Sequence, residues 1–241
     1  MNDLKLPSKT KTILQDFVSG TKDIYKEGLV SVILYGSAAS GEFSSAHSNI
    51  NLAIILSNAS LSNVAKIAPL LKKNKFRLLK PVFFTEGYIL TSADVFPVEF
   101  LDMKENHKIL YGKDVLAGLE IDIKNLRFQC EQELKSKIIN IKRAYLDHLD
   151  SPGLDKILMN FFTSSLHILR NVLRLKKGHV AYRKEDILAE AAGAFHIDIS
   201  TMKKILDAKI ANKRLSKKEA AGLFISFVDD LEKFSNVVDA L

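Results

Sequence analysis

The chain has 241 residues, 47% hydrophobic and 26% charged, with 35 basic against 28 acidic side chains and a formal net charge of +7. That balance excludes a disordered chain, which lacks apolar residues to bury. Apolar runs stay well short of the roughly 20 residues of a membrane helix, the polar stretch Met1 to Thr12 has no secretory h-region, and a lone cysteine, Cys130, excludes a disulfide framework and a multi-cysteine zinc site. The expectation is a cytoplasmic protein of one or two domains, without a membrane partner.

The first half alternates short branched runs with helical periodicity. Pro7 to Glu27 places Ile13, Phe17 and Ile24 on one helical face. Leu29 to Tyr35 reads as a buried strand ending at Gly36, and Ile50 to Leu56 as a second. Ser62 to Lys73 reads as a helix, Pro81 to Phe84 as a short strand and Phe96 to Met103 as another, while Lys108 to Gly112 is ambiguous.

The second half is helical. Leu126, Cys130, Leu134, Ile138, Ile141, Tyr145 and Leu149 recur at three- and four-residue intervals along one face of a long helix. Ser151-Pro152 reads as the cap and first residue of the next helix, which stops at Gly178. Two shorter helices follow, over Lys184 to Ala194 and Ser200 to Ile210. Ser216-Lys-Lys-Glu219 is a capping box opening a final helix. The expected fold class is α+β, with a small mixed-sheet domain over residues 1–120 and an all-α helical bundle over residues 121–241.

The charge divides unevenly. Residues 1–120 hold 14 basic and 12 acidic residues, net +2, and residues 121–241 hold 21 and 16, net +5. Basic clusters, such as Lys72, Lys73, Lys75, Arg77 and Lys80, can attract phosphates, but each is explained as well by a solvated face or a helix C-terminus. The charge is too modest and dispersed for a dedicated nucleic-acid binder.

The informative segment runs from Tyr35 to Leu56, Y-G-S-A-A-S-G-E-F-S-S-A-H-S-N-I-N-L-A-I-I-L. A buried strand ends in Gly36-Ser37, where glycine permits close backbone approach and the hydroxyl and following amides can meet a phosphate. The next strand carries Asn49 and Asn51 two residues apart, hence on one face. This segment resembles the DNA polymerase beta-like nucleotidyltransferase superfamily, and within it the minimal and kanamycin nucleotidyltransferase-like proteins. Their pattern is an apolar strand, G-S, a spacer often containing G-E, then S-D-h-D-h, with h apolar. Gly36, Ser37, Gly41, Glu42, Ser48, Ile50 and Leu52 fit it. A strand-rich half followed by a helical bundle extends the likeness to most of the chain.

The resemblance implies transfer of a nucleoside monophosphate from an NTP to a hydroxyl of a small-molecule, protein or RNA acceptor, with Mg²⁺ and the NTP as cofactors. It implies nucleotide contacts at Gly36, Ser37, Glu42 and Ser48. It also aligns Asn49 and Asn51 with the two metal-binding aspartates. A third family carboxylate comes from a later strand, and Glu99 is the candidate, backed by Asp102 and Asp94. The two asparagines change the chemistry. Two Mg²⁺ ions about 4 Å apart clamp the attacking oxygen and the phosphates, and Mg²⁺ selects carboxylate and phosphate oxygens. An asparagine offers only one neutral carbonyl.

Three readings stand. The chain is a degenerate family member impaired or inactive in metal-dependent transfer, an active enzyme with relocated metal ligands, or a chain with an engineered Asp→Asn pair. A reading of another class is a non-catalytic binding or regulatory module of a toxin–antitoxin-like or other complex, with homo-oligomerisation open. The net +5 of the helical half disfavours a cationic aminoglycoside acceptor.

Other signals carry less. Arg174-Leu-Lys-Lys-Gly-His179 fits the R-x4-H ribonuclease pattern of HEPN domains, but Gly178 places the histidine past the helix end, and a basic helix C-terminus explains it. None of the six histidines forms an i, i+4 pair, although His47 precedes the asparagines. Cys130 falls on the apolar helix face as a core residue.

Overall fold

The computed structural model describes residues 4–41, 49–178, 180–181 and 183–241. The chain divides into two compact units, Met1–Ile121 and Asp122–Leu241. The architecture is α+β, as the alternation of patterns implies.

The first unit is built on a four-stranded mixed sheet in the order β3-β2-β1-β4. β1 (Leu29–Tyr35) runs antiparallel to β2 (Ile50–Leu56) and to β4 (His107–Gly112), and β2 runs parallel to β3 (Leu79–Phe84). The central strands are apolar on both sides because both faces are covered. Val32, Leu34, Leu52, Ile54 and Leu79 share a core with Leu14 and Phe17 of α1 (Ser8–Tyr25). Ile33, Ala53 and Ile55 point the other way, toward Ile89 of α5 (Glu86–Ser92) and Phe100 and Met103 of α6 (Pro97–Glu105). Between β1 and β2 lies the single turn α2 (Ser37–Ser40).

Three expectations for this unit change. Phe96 to Met103 is helical: Pro97 occupies the first turn of α6, where its missing amide costs nothing, and Val98, Phe100 and Met103 form the buried side. In a strand that proline would have removed a ladder donor. The single helix expected over Ser62 to Lys73 is instead α3 (Leu61–Val64), a 3-10 turn over Ala65–Ile67 and α4 (Ala68–Leu71). Pro69 lacks the amide that a continuous helix would use. Lastly, β3 starts at Leu79, two residues before Pro81, which is tolerated because β3 is an edge strand.

The second unit consists of α7 (Ile123–His148), α8 (Leu154–Lys177), α9 (Lys184–Phe195), α10 (Ser200–Ile210) and α11 (Lys217–Asp239). α7 buries Leu126, Cys130, Leu134, Ile138 and Ile141 along its apolar stripe. Phe162 meets Phe227 edge-on at 6.0 Å between ring centres, and Phe195 meets Phe234 in the same way. The capping box is formed: Ser216 Oγ accepts from the Glu219 amide, and Glu219 Oε2 accepts from the Ser216 amide at 2.9 Å. α8 starts later than expected. Gly153, at φ +107°, is its cap, and Ser151-Pro152 belongs to the preceding turn. Among the described residues no helix is long and apolar enough to cross a membrane.

Candidate functional site

The candidate site lies where β1 ends and β2 begins. Gly36 has φ +72° and ψ −151°, a region that only glycine enters at low cost. A side chain there would also place its Cβ 3.2 Å from Asn51 Nδ2. The two halves of the motif therefore meet in space: Asn51 stands over the Gly-Ser turn. The Gly36 amide donates to the Asn106 carbonyl at 3.2 Å, tying the end of β1 to the residue that leads into β4. That amide is thus engaged by the fold, and what Gly36 supplies is its conformation. Ser37, half-buried, opens α2, whose first amides have no intrahelical acceptor.

Strand register defines the rest. Asn51 pairs with Tyr35 on one side and with Lys80 on the other, and Tyr35 pairs with His107. Paired residues project from the same face of a sheet, so one row reads Lys80, Asn51, Tyr35, His107. It lies on the face occupied by Ile33, Ala53, Val82 and Ile109. Neighbouring strands are about 4.8 Å apart, which puts Lys80 beside Asn51. Lys80 is exposed and makes no hydrogen bond or ion pair among the described residues, Asn51 is half-buried, and Asn49 is exposed two residues back.

The other two members of the row, Tyr35 and His107, are more constrained. Burial pushes the Tyr35 phenol up. His107 is held at both ring nitrogens, Nδ1 at 2.8 Å from the Lys104 carbonyl and Nε2 at 3.0 Å from Asp114 Oδ2. Partial burial opposes ionisation of Asp114, but the His107 hydrogen bond and charge and the Leu116 and Ala117 amides outweigh it, holding the carboxyl below its usual range.

No acid faces this row from either later strand. β3 is Leu-Lys-Pro-Val-Phe-Phe and β4 is His-Lys-Ile-Leu-Tyr-Gly, and neither contains Asp or Glu. Glu99 lies in the first turn of α6, exposed, seven residues before Asn106 and so about 10 Å along the axis from the Gly36 contact. The expectation that it comes from a strand is therefore corrected. Among the described residues, no group of three or more His, Cys, Asp or Glu is placed to hold a metal ion. Glu42, His47, Ser48 and His179 lie outside the described residues. Arg174, the other half of the R-x4-H pattern, is buried in α8 and donates to Asn171 Oδ1.

Lys80, Tyr35 and His107 were not singled out as site residues by sequence reasoning. Lys80 sits in a basic run that resembles any solvated turn. The available signal was Pro81, because a residue preceding proline is biased toward extended conformation.

Comparison with known proteins bears on this geometry. The chain is similar in structure to a spectinomycin adenyltransferase from Enterococcus faecialis, solved with ATP and spectinomycin. The TM-score is 0.60, the identity 14%, and the alignment covers 92% of this chain and 98% of that one. The chain therefore has the nucleotidyltransferase fold, an α+β domain followed by a helical region. No family model and no curated protein matches its sequence.

Proposed function

We propose that this chain is a degenerate nucleotidyltransferase, one that keeps the nucleotide-facing turn of the fold but has lost metal-dependent nucleotidyl transfer and acts as a binding module. The observation that carries this reading is the row Lys80–Asn51 beside Asn49. The resemblance calls for two carboxylates on β2 and a third on a later strand. The positions on β2 are amides, and the neighbouring position on β3 is an ammonium. Three negative charges are replaced by one positive charge.

Magnitude favours impaired metal binding at these positions. At about 4 Å and an effective dielectric of about 20, one pair of unit charges interacts by about 4 kcal/mol. A divalent ion beside Lys80 would meet repulsion where a carboxylate would attract it. Mg²⁺ demands near-octahedral oxygen coordination and gives up water reluctantly, and this donor set supplies only two neutral carbonyls. Mg²⁺ therefore does not fit these residues. Two acids of this unit are held by other partners: Asp114 by His107, and Glu86 by Lys113 at 2.6 Å.

The test is isothermal titration of ATP in the presence of Mg²⁺ with the natural chain and with Asn49→Asp/Asn51→Asp/Lys80→Glu. The expected result is Mg²⁺-dependent ATP binding in the triple variant only. A correctly folded triple variant that binds no ATP, with or without Mg²⁺, would remove the basis for a site of nucleotidyltransferase descent.

A further inference from the structure

Building on the site reading above, we infer that Lys80 supplies the positive charge that a divalent cation would otherwise bring, so that the site takes the polyphosphate of a nucleotide free of metal. The juxtaposition that carries this is the β2–β3 register: Asn51 opposite Lys80 on one face, with Asn51 against the Gly36 turn.

The three side chains are chemically consistent with an anion. A carboxylate only accepts hydrogen bonds and repels phosphate. A neutral asparagine amide has two N–H donors, and a lysine ammonium has three with a full positive charge. The row has thus changed from a cation-binding to a donor-bearing surface at each position. Lys80 is available, because it is exposed and makes no ion pair among the described residues, whereas Lys75 in the same basic run is tied to Asp16 at 2.7 Å. Lysine suits the task as a point charge on a flexible stem that reaches phosphate oxygens without a fixed fork geometry. No carboxylate on β3 or β4 stands in the row to neutralise it.

The ligand class that follows is a nucleoside triphosphate or diphosphate bound as the free polyanion. Mg²⁺ would then weaken binding, since it neutralises the oxygens that Lys80 recognises. This is the reverse of the dependence expected of a metal-dependent transferase.

The experiment titrates the full chain with ATP and with inorganic triphosphate, in EDTA and in excess Mg²⁺, alongside Lys80→Met, Lys80→Arg and the triple acidic variant. The expected result is binding of both probes in EDTA and weaker binding in Mg²⁺. Lys80→Met should lose about tenfold in affinity, in keeping with a hydrogen bond to a charged group, while Lys80→Arg keeps most of it. Thermal melts of each variant distinguish lost binding from lost folding. ATP binding that requires Mg²⁺ in the natural chain, or that is unchanged in Lys80→Met, would overturn the role of Lys80 and leave the nucleotide site standing. Absence of binding in the natural chain alongside Mg²⁺-dependent binding in the triple variant would likewise overturn it alone. Absence of binding in both would overturn this inference together with the site reading.

Discussion

At Gly36 a single residue joins backbone strain to site geometry. Its φ of +72° with ψ −151° and the 3.2 Å approach of Asn51 to its missing Cβ act together. Gly36→Ala should destabilise the chain by about 1–3 kcal/mol, read as a lowered Tm, and should displace Asn51. An unchanged Tm would show that the turn relaxes freely. Asp230 tests the charge side of the same scale. It is buried in α11, with Oδ1 taking Lys233 Nζ at 2.9 Å and Oδ2 without a hydrogen-bond partner among the described residues. Burial raises its carboxyl above the usual range; Lys233 opposes that shift, and Asp198 and Asp229 add to it. The folded chain therefore holds this proton more tightly than the unfolded chain does. Its stabilising contribution is complete below about pH 4, the ordinary carboxylate value, and is lost as pH rises through the raised folded value. The Tm of the natural chain minus that of Asp230→Asn should fall as pH is raised from about 4 toward neutrality. A constant difference would contradict the shift. Residue-level legibility was mixed. The approach of Asn51 to the Gly36 turn was readable because the motif is local in sequence. Lys80 was not, because its meaning depends on pairing with a strand 29 positions earlier.

Among the elements, those whose signals are local were readable. β1, β2 and α10 have the limits their patterns imply, and the capping box at Ser216 opens α11. Ser216→Ala removes the hydroxyl that accepts the Glu219 amide and should cost about 1 kcal/mol, measured by denaturant unfolding. A loss near zero would mean that packing of Phe224, Phe227 and Phe234 fixes α11 without its cap. Misreadings occurred where a short apolar run suits two periods. Phe96 to Met103 alternates well enough for a strand, but Pro97 in a first turn, followed by a buried side against β1 and β2, selects a helix. That change moved Glu99 off the sheet.

At the scale of the whole molecule, fold and chemistry separate. Both compact units have apolar cores of their own, and the chain is similar in structure to an adenyltransferase at 14% identity. The fold tolerates that divergence because strand order and helix faces depend on apolar pattern, whereas metal binding depends on the charge of a few side chains. The most direct test of that separation is an electron paramagnetic resonance titration of Mn²⁺ with ATP, using the natural chain and Asn49→Asp/Asn51→Asp/Lys80→Glu. The account predicts that the natural chain leaves the free Mn²⁺–ATP signal unchanged and that the triple variant converts it to a protein-bound one. Binding of Mn²⁺–ATP by the natural chain as tightly as by the variant would contradict it, because a metal site would then exist without the three carboxylates.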